Sequence, residues 1–299
     1  MPSLKTIRKR IASTKATQKI TRAMKMVAGA KLTRAQQRIV AMRPYAVKTG
    51  EVLQAVAATM SAAAEANDEA LHPLLTRRPE KKALLLVLSA DRGLCGAFNT
   101  NVNKTAERAW REKEAAGVSV RFGTLGRKGR EYLTRRKADI AHDFAHIYDG
   151  LDLAKARLVA KWLVPRYEKG EFDAVYLVYN EFKSAITQKV TLEPLLPLPP
   201  PASGAQAAEK LGPSDFIYEP NQRALLERLV PMYVEISIYR ALLESQASFF
   251  GAQMTAMDAA TRNAKEMIAR YTLVYNRARQ AAITKELMEI IGGAEALKD

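Results

Sequence analysis

The sequence predicts an α+β protein, a long antiparallel coiled coil of the N- and C-terminal helices with a small α/β domain inserted between them. Three observations carry this. Both ends of the chain repeat apolar or small side chains at three- and four-residue spacing over many turns. The first such run leads into the middle of the chain and the second leads out of it, so pairing their seams requires antiparallel order. Between them, short continuous apolar runs alternate with helical patterns, as in βα units. In 299 residues, 48% hydrophobic and 26% charged, a core is readily filled. No stretch reaches the roughly 18 apolar residues that span a bilayer. The single cysteine, Cys95, excludes an internal disulfide, a four-thiolate metal site and a dithiol switch, and fits a reducing compartment.

The N-terminal helix, expected over residues 1–68, has a seam at Leu4, Ile7, Ile11, Thr14, Gln18, Thr21, Lys25, Ala28, Leu32, Ala35, Ile39 and Met42. It is apolar at both ends and polar in the middle. Ile20, Met24 and Val27 lie beside the polar stretch, so the stripe is expected to shift phase onto them. No Gly or Pro interrupts before Gly29, good helix formers follow, and the turn comes at Asn67 and Asp68. Pro44 is the expected kink. The net charge of +16 sits here: residues 1–50 hold 13 Lys or Arg and no acidic residue before Glu51, and the remainder is nearly balanced. Only Lys25 of these bases falls on the seam. Taken alone, the block fits a nucleic-acid arm, a membrane-surface helix or a transit peptide.

The C-terminal helix, residues 221–291, has its predicted seam at Leu229, Met232, Ile236, Tyr239, Leu243, Gln246, Phe250, Gln253, Met257, Ala260, Ala264, Met267, Tyr271, Val274, Ala278, Ala281, Lys285 and Met288. The many alanines suit close approach of two helices. At 1.5 Å per residue the run from Leu229 to Met288 is roughly 85–90 Å long, against a radius of gyration of about 19 Å for a compact chain of this size. Part of it is expected to protrude.

The inserted domain, residues 80–215, reads as a small Rossmann-like α/β unit. Strands are expected at Ala83–Ser89, Val118–Gly123, Asp173–Asn180 and Ala185–Leu192, with helices through Trp110 and from Asp152 to Tyr167. Leu195–Pro213, with four prolines between Pro197 and Pro201, reads as a surface linker. The loop Asp91, Arg92, Gly93, Leu94, Cys95, Gly96 follows a strand and could cradle a phosphate. It lacks GxGxxG and the Lys and Ser/Thr of a P-loop, so it reads as a structural turn of this domain. Gly123, Gly126 and Gly129 with Arg127, Lys128 and Arg130 read as a basic turn. His142 and His146 stand four apart as on a metal-binding helix, but no Glu follows the first. Cys95 has no motif-supported catalytic partner and reads as buried. No catalytic residue, cofactor site or metal site is expected.

Specific segments at both ends and in the middle carry a resemblance. Met1-Pro-Ser-Leu-Lys-Thr-Ile-Arg-Lys-Arg-Ile11, Thr17-Gln-Lys-Ile-Thr-Arg-Ala-Met24-Lys-Met26, Lys31-Leu-Thr-Arg-Ala-Gln36, Asp91-Arg-Gly-Leu-Cys-Gly-Ala-Phe-Asn99, Ala256-Met-Asp-Ala-Ala-Thr-Arg-Asn-Ala264, Tyr275-Asn-Arg-Ala-Arg-Gln280 and Ile283-Thr-Lys-Glu-Leu287 together resemble the gamma subunit of the F-type, proton-translocating ATP synthase, bacterial type. The resemblance implies a central rotor shaft that couples proton flow to ATP synthesis or hydrolysis and regulates ATPase activity, with no chemistry of its own. Its implied partners are the alpha and beta subunits, the epsilon subunit and the c-ring. Membrane association would come only through that complex, on the cytoplasmic face of the bacterial inner membrane. It further implies shaft contacts with the alpha/beta ring at Met24, Lys25, Arg279, Gln280, Thr284 and Glu286, expected to be few and charge-assisted instead of a broad apolar seal.

The basic start matches the family's own mature start, which argues against a cleaved transit peptide, and one cysteine cannot form the regulatory pair of the chloroplast form. Ser248-Phe-Phe-Gly-Ala-Gln-Met254 departs from the family's usual Glu and Arg before the methionine. The competing reading is a basic coiled-coil protein for nucleic acid or an anionic membrane surface. It leaves the long neutral C-terminal seam and the inserted domain unexplained, and Tyr45 is the one aromatic residue among the first fifty, so base stacking is not provided for.

Overall fold

A computed structural model of the chain describes residues 3–67, 73–198 and 222–295. The chain divides into two units, Met1–Gly29 with Gln253–Asp299, and Ala30–Ala252. The elements are α1 (Leu4–Asn67), β1 (Lys82–Leu88), α2 (Phe98–Ala115), β2 (Ser119–Leu125), α3 (Arg127–Arg135), β3 (Ile140–Phe144), α4 (Leu153–Glu168), β4 (Ala174–Phe182), β5 (Gln188–Leu196) and α5 (Gln222–Glu295). The class is the one the sequence predicts, a mixed sheet with two very long terminal helices.

In the larger unit the strands are ordered β3-β2-β1-β4-β5. The first four are parallel and β5 runs antiparallel to β4. Central β1 is an unbroken apolar run because both of its faces are covered, and Ala83 to Leu88 are fully buried. On one face Leu85 and Val87 pack with Val102, Ala106 and Ala109 of α2 and Leu133 of α3. Trp110 meets Phe122 edge-on, ring centroids 5.4 Å apart. Helix α4 starts where the carboxylate of Asp152 accepts the Lys155 N–H at 3.1 Å, a side-chain cap. At the carboxyl ends of β1 and β4, Ser245 Oγ of α5 donates to Leu88 O at 3.3 Å and Ser248 Oγ to Asn180 O at 3.0 Å. Arg240 pairs with Glu193 of β5, which also accepts from Tyr179. These contacts explain why α5 is buried around more than one face between Val230 and Ala247.

Several expectations are corrected. The basic turn is the end of β2 and the first turn of α3. It is fixed by Ser89, whose Oγ donates to Gly126 O at 3.1 Å and accepts from Gly129 N at 2.7 Å. Gly126 has φ 111°, and a Cβ there would stand 2.2 Å from Ser89 O, so only glycine fits. His142 and His146 share no helix. His142 lies on β3 and stacks on Trp162 at 5.0 Å, while His146 sits in a turn with φ 57° beside Asp149. The last strand starts later than expected and runs on through Pro194 to Leu196. Leu195, Leu196 and Leu198 are buried, so the linker does not begin at Leu195. The proline-rich stretch beyond Leu198 lies outside the described residues. In the departing segment, Phe249 packs edge-on against Phe98 at 5.7 Å and Lys31 stands 5.7 Å over the Phe250 ring. A Cβ on Gly251 would be 3.1 Å from Ala185 O, so glycine there admits the β4–β5 turn.

Candidate functional site

The smaller unit is a helix pair. Helix α1 opens with Ser3 Oγ accepting from Thr6 N at 3.3 Å, a polar cap. Three cross-helix relations fix the pairing: Thr21 Oγ1 and Thr261 Oγ1 at 2.8 Å, Lys25 Nζ and Asp258 Oδ1 at 2.5 Å, and Gly29, whose Cβ would be 3.5 Å from Met254 Sδ. As one residue number rises the other falls, so the helices are antiparallel. Ile7, Ala28, Met257 and Ala264 are buried along the seam, and so is Thr21.

The polar middle of the α1 seam does not change phase. Ile20 and Val27, onto which the stripe was expected to shift, are 60% and 55% exposed, whereas Thr21 is 8% exposed. The reason is the opposite helix, which supplies polar partners for the polar slots: the Thr261 hydroxyl for Thr21 and the Asp258 carboxylate for Lys25. Asp258 also faces Arg262 at 3.3 Å. The Lys25 ammonium beside it, and then Arg262, hold the Asp258 carboxyl below its ordinary pKa. On α5 the predicted seam holds as far as Ala264 and again at Tyr271 and Ala278, but Met267, Val274 and Ala281 give way to their next neighbours, Ile268, Tyr275 and Ala282. Met267 and Val274 are exposed. Both phases keep three- and four-residue spacing, so spacing alone could not choose between them.

Of the predicted shaft residues, Met24 is half-buried beside the seam and Lys25 is engaged by Asp258. Arg279, Gln280, Thr284 and Glu286 are all exposed, and the Thr284 hydroxyl donates to Gln280 O at 3.0 Å. The surface around them is not purely polar, since Ile283, Leu287, Met288, Ile290 and Ile291 are exposed too. The basic residues Lys5, Arg8, Lys9, Arg10, Lys15, Lys19 and Arg22 point outward. Sequence reasoning missed Asp258 and Thr261 as their counterparts. An acid and a hydroxyl three apart, to be laid against Thr21 and Lys25 four apart, were the available signal.

The strand-end loop is closed on itself. Asp91 Oδ1 accepts from Arg127 N at the start of α3 at 2.9 Å, so a carboxylate already occupies the place an anion would take there. Asn99 ties the loop across: its Oδ1 accepts from Ala90 N at 2.9 Å, and its Nδ2 donates to Arg92 O at 3.2 Å and lies 3.3 Å from Cys95 Sγ. Gly96 has φ 57° and Leu94 has φ 61° with its side chain exposed, while Gly93 and Arg92 are open to solvent. Cys95 packs with Ala90 and Phe98, and burial pushes its thiol pKa up, away from thiolate chemistry. Among the described residues no three of His, Cys, Asp and Glu are arranged to hold a metal, and no helix is long and apolar enough to cross a membrane.

A two-helix shaft with a narrow seam and a basic exterior, accompanied by a five-stranded α/β unit, defines a structural and mechanical class of protein. The model of the ATP synthase family matches residues 3–297. The ATP synthase gamma chain of Sorangium cellulosum is 57% identical with full coverage of both chains, and that of Geotalea uraniireducens is 49% identical, again over all of both. The central stalk and c-ring structure of the Tetrahymena thermophila mitochondrial ATP synthase contains a chain 26% identical, with TM-score 0.62, covering 81% of this chain and 99% of that one. A chain of the Euglena gracilis mitochondrial enzyme shares the fold, with TM-score 0.66 at 18% identity over 98% of this chain and 94% of that one. The chain belongs to the ATP synthase gamma-chain family, of the bacterial F-type. Its role is that of the family's rotor shaft, a non-catalytic subunit that couples proton flow to ATP synthesis.

Proposed function

We propose that the helix pair turns inside a ring of alpha and beta subunits, that the α/β unit is the foot contacting the c-ring and an epsilon subunit, and that the complex lies on the cytoplasmic face of a bacterial inner membrane. The observation that carries this is the one-sided burial of the pair. One stripe is closed by the partner helix, while the outward face of residues 4–29 of α1 carries bases with no acidic residue in its own sequence to neutralise them. An acidic ring lining would be attracted to such a face. Turning the shaft would then carry the beta sites through different nucleotide affinities, because each orientation offers them different contacts.

Met24, Arg279, Gln280, Thr284 and Glu286 are the proposed ring contacts. Arg279 and Gln280 offer donors to acidic or carbonyl groups of a beta-subunit loop, and Thr284 and Glu286 complete the polar set. Lys25 joins them through its aliphatic stem, since its charge is met by Asp258. The exposed Ile283, Leu287, Ile290 and Ile291 add apolar contact, so the interface is broader than a few charge-assisted bonds.

Reconstitution with alpha and beta subunits tests the reading: a stable complex with ATPase activity is expected, and failure to assemble would overturn it. Within that complex, replacing Arg279 and Gln280 together by Ala is expected to lower ATPase and ATP synthesis while leaving the helicity of the free chain intact. Met24→Lys is expected to preserve assembly and lower the ratio of ATP made to protons passed.

A further inference from the structure

We infer that Thr21, Lys25, Asp258 and Thr261 form a shear lock, a set of positioning residues that fixes the axial register of the two shaft helices. This rests on the rotor reading for its consequence but not for its structure.

A two-helix rod that carries torque resists twisting only if its strands cannot slide along each other. The small-residue slots of the seam give little resistance. Ala28, Ala260, Ala264, Ala278 and Ala282 are small and alike, so displaced alanines meet nearly the same surface. The four polar residues behave differently. In the observed register Lys25 meets Asp258 at 2.5 Å and Thr21 meets Thr261 at 2.8 Å. Thr21 Oγ1 donates to Gln18 O of its own helix at 3.1 Å, and the single proton of Thr261 Oγ1 is shared between Thr21 Oγ1 and Met257 O, which lies 2.7 Å away. Sliding one heptad in one direction sets Lys25 against Lys265 and buried Thr21 against Ile268. One heptad in the other direction sets Thr21 against Met254. Both of these displaced registers leave the Thr21 hydroxyl facing an apolar side chain, and one adds like charges. A polar layer in an apolar seam specifies register in this way, through the cost of the wrong pairings.

The lock lies next to Met24, a proposed ring contact, and Asp258 is within reach of both Lys25 and Arg262. A sliding step would move Met24 along the shaft relative to Arg279 and Gln280. The lock thus positions contact residues on two different helices with respect to each other, without itself touching the ring through its charges.

The test uses the full chain, alone and assembled with alpha and beta subunits and the membrane sector. Lys25→Asp, Asp258→Lys and the charge-swapped double variant are compared. In the free chain each single variant is expected to lower hydrogen-exchange protection of residues 18–28 and 254–264 by about tenfold, and the swap to restore it to within about twofold. In the assembled complex the ATP-per-proton ratio is expected to fall in the singles and to recover in part in the swap, which regains the register but lacks the Lys25 stem. Unchanged exchange in the single variants would overturn the lock, and so would a swap no better protected than either single. Recovery of exchange with a coupling ratio no higher than in either single variant would overturn its positioning role. Failure of the wild-type chain to assemble would sink the rotor reading, while the exchange results would still decide the lock.

Discussion

In β1 every side chain from Ala83 to Leu88 is shut away from solvent, whereas along residues 4–29 of α1 a single stripe is covered and the rest of the helix faces outward. The strand is stabilised by burial on both faces, at roughly 25 cal/mol per Å² of apolar surface removed from water. The helix pair has a narrow, alanine-rich seam to bury, and its alignment depends on a few polar contacts. The difference teaches where each unit is vulnerable. The α/β unit fails through volume and backbone clashes in its interior; the helix pair fails through phase and charge.

The largest expected effect is in the α/β unit. Gly126→Ala forces a Cβ to within 2.2 Å of a carbonyl oxygen at φ 111° and is expected to cost more than about 3 kcal/mol. Both tryptophans, Trp110 and Trp162, belong to this unit, so their fluorescence during guanidinium unfolding reports on it alone. An unshifted midpoint would mean that the α3 entry can relax. Next comes Phe122→Ala, which opens a void against Trp110 and should cost about 3–5 kcal/mol in the same assay.

In the helix pair the contrast is finer. Ile268→Ser should destabilise by about 1–2 kcal/mol and Met267→Ser by no more than about 0.5 kcal/mol, measured as exchange protection over residues 264–282. The opposite order would restore the seam phase read from spacing. The smallest effect is acid sensitivity. Asp258 has a lowered folded-state pKa, so its contribution is complete above the ordinary aspartate value. It is lost as the pH falls through the lower folded value. Carbon NMR of the Asp258 carboxyl should show that lowered titration, and Lys25→Met should move it back up. A titration indifferent to Lys25 would count against the ion pair.

The seam of α1 was legible because twelve slots in regular spacing repeat over eleven turns, and the structure protects each of them, Thr14 and Gln18 included. What spacing could not convey was why Thr21 and Lys25 belong there, since their partners lie more than two hundred residues away. The one-residue errors at Met267, Val274 and Ala281 have a related cause: Met267 and Ile268 are both apolar, and only the facing helix chooses between them. Helix α3 and strand β3 were missed because Gly123-Thr-Leu-Gly-Arg-Lys-Gly129 has a turn's composition and Ile140-Ala-His-Asp-Phe144 carries two polar residues in five. Ser89, a single buried hydroxyl, is what converts that glycine-rich segment into a helix start. For the candidate site, Arg279, Gln280, Thr284 and Glu286 are solvent-facing as the spacing implied. Their counterparts on other subunits are not written in this chain.

Strand β5 closes one side of the sheet, and its makeup bears on the chain before any partner is present. A free strand edge invites another copy to add itself by backbone pairing, the first step of aggregation. Here the edge strand alternates apolar side chains with Lys189, Thr191 and Glu193, and Pro194 withdraws one backbone donor. On the opposite side β3 is five residues long and carries Asp143, held by Thr124 and Arg130. Both borders are therefore poor templates for a second copy. Neither border of the sheet favours polymerisation by backbone pairing.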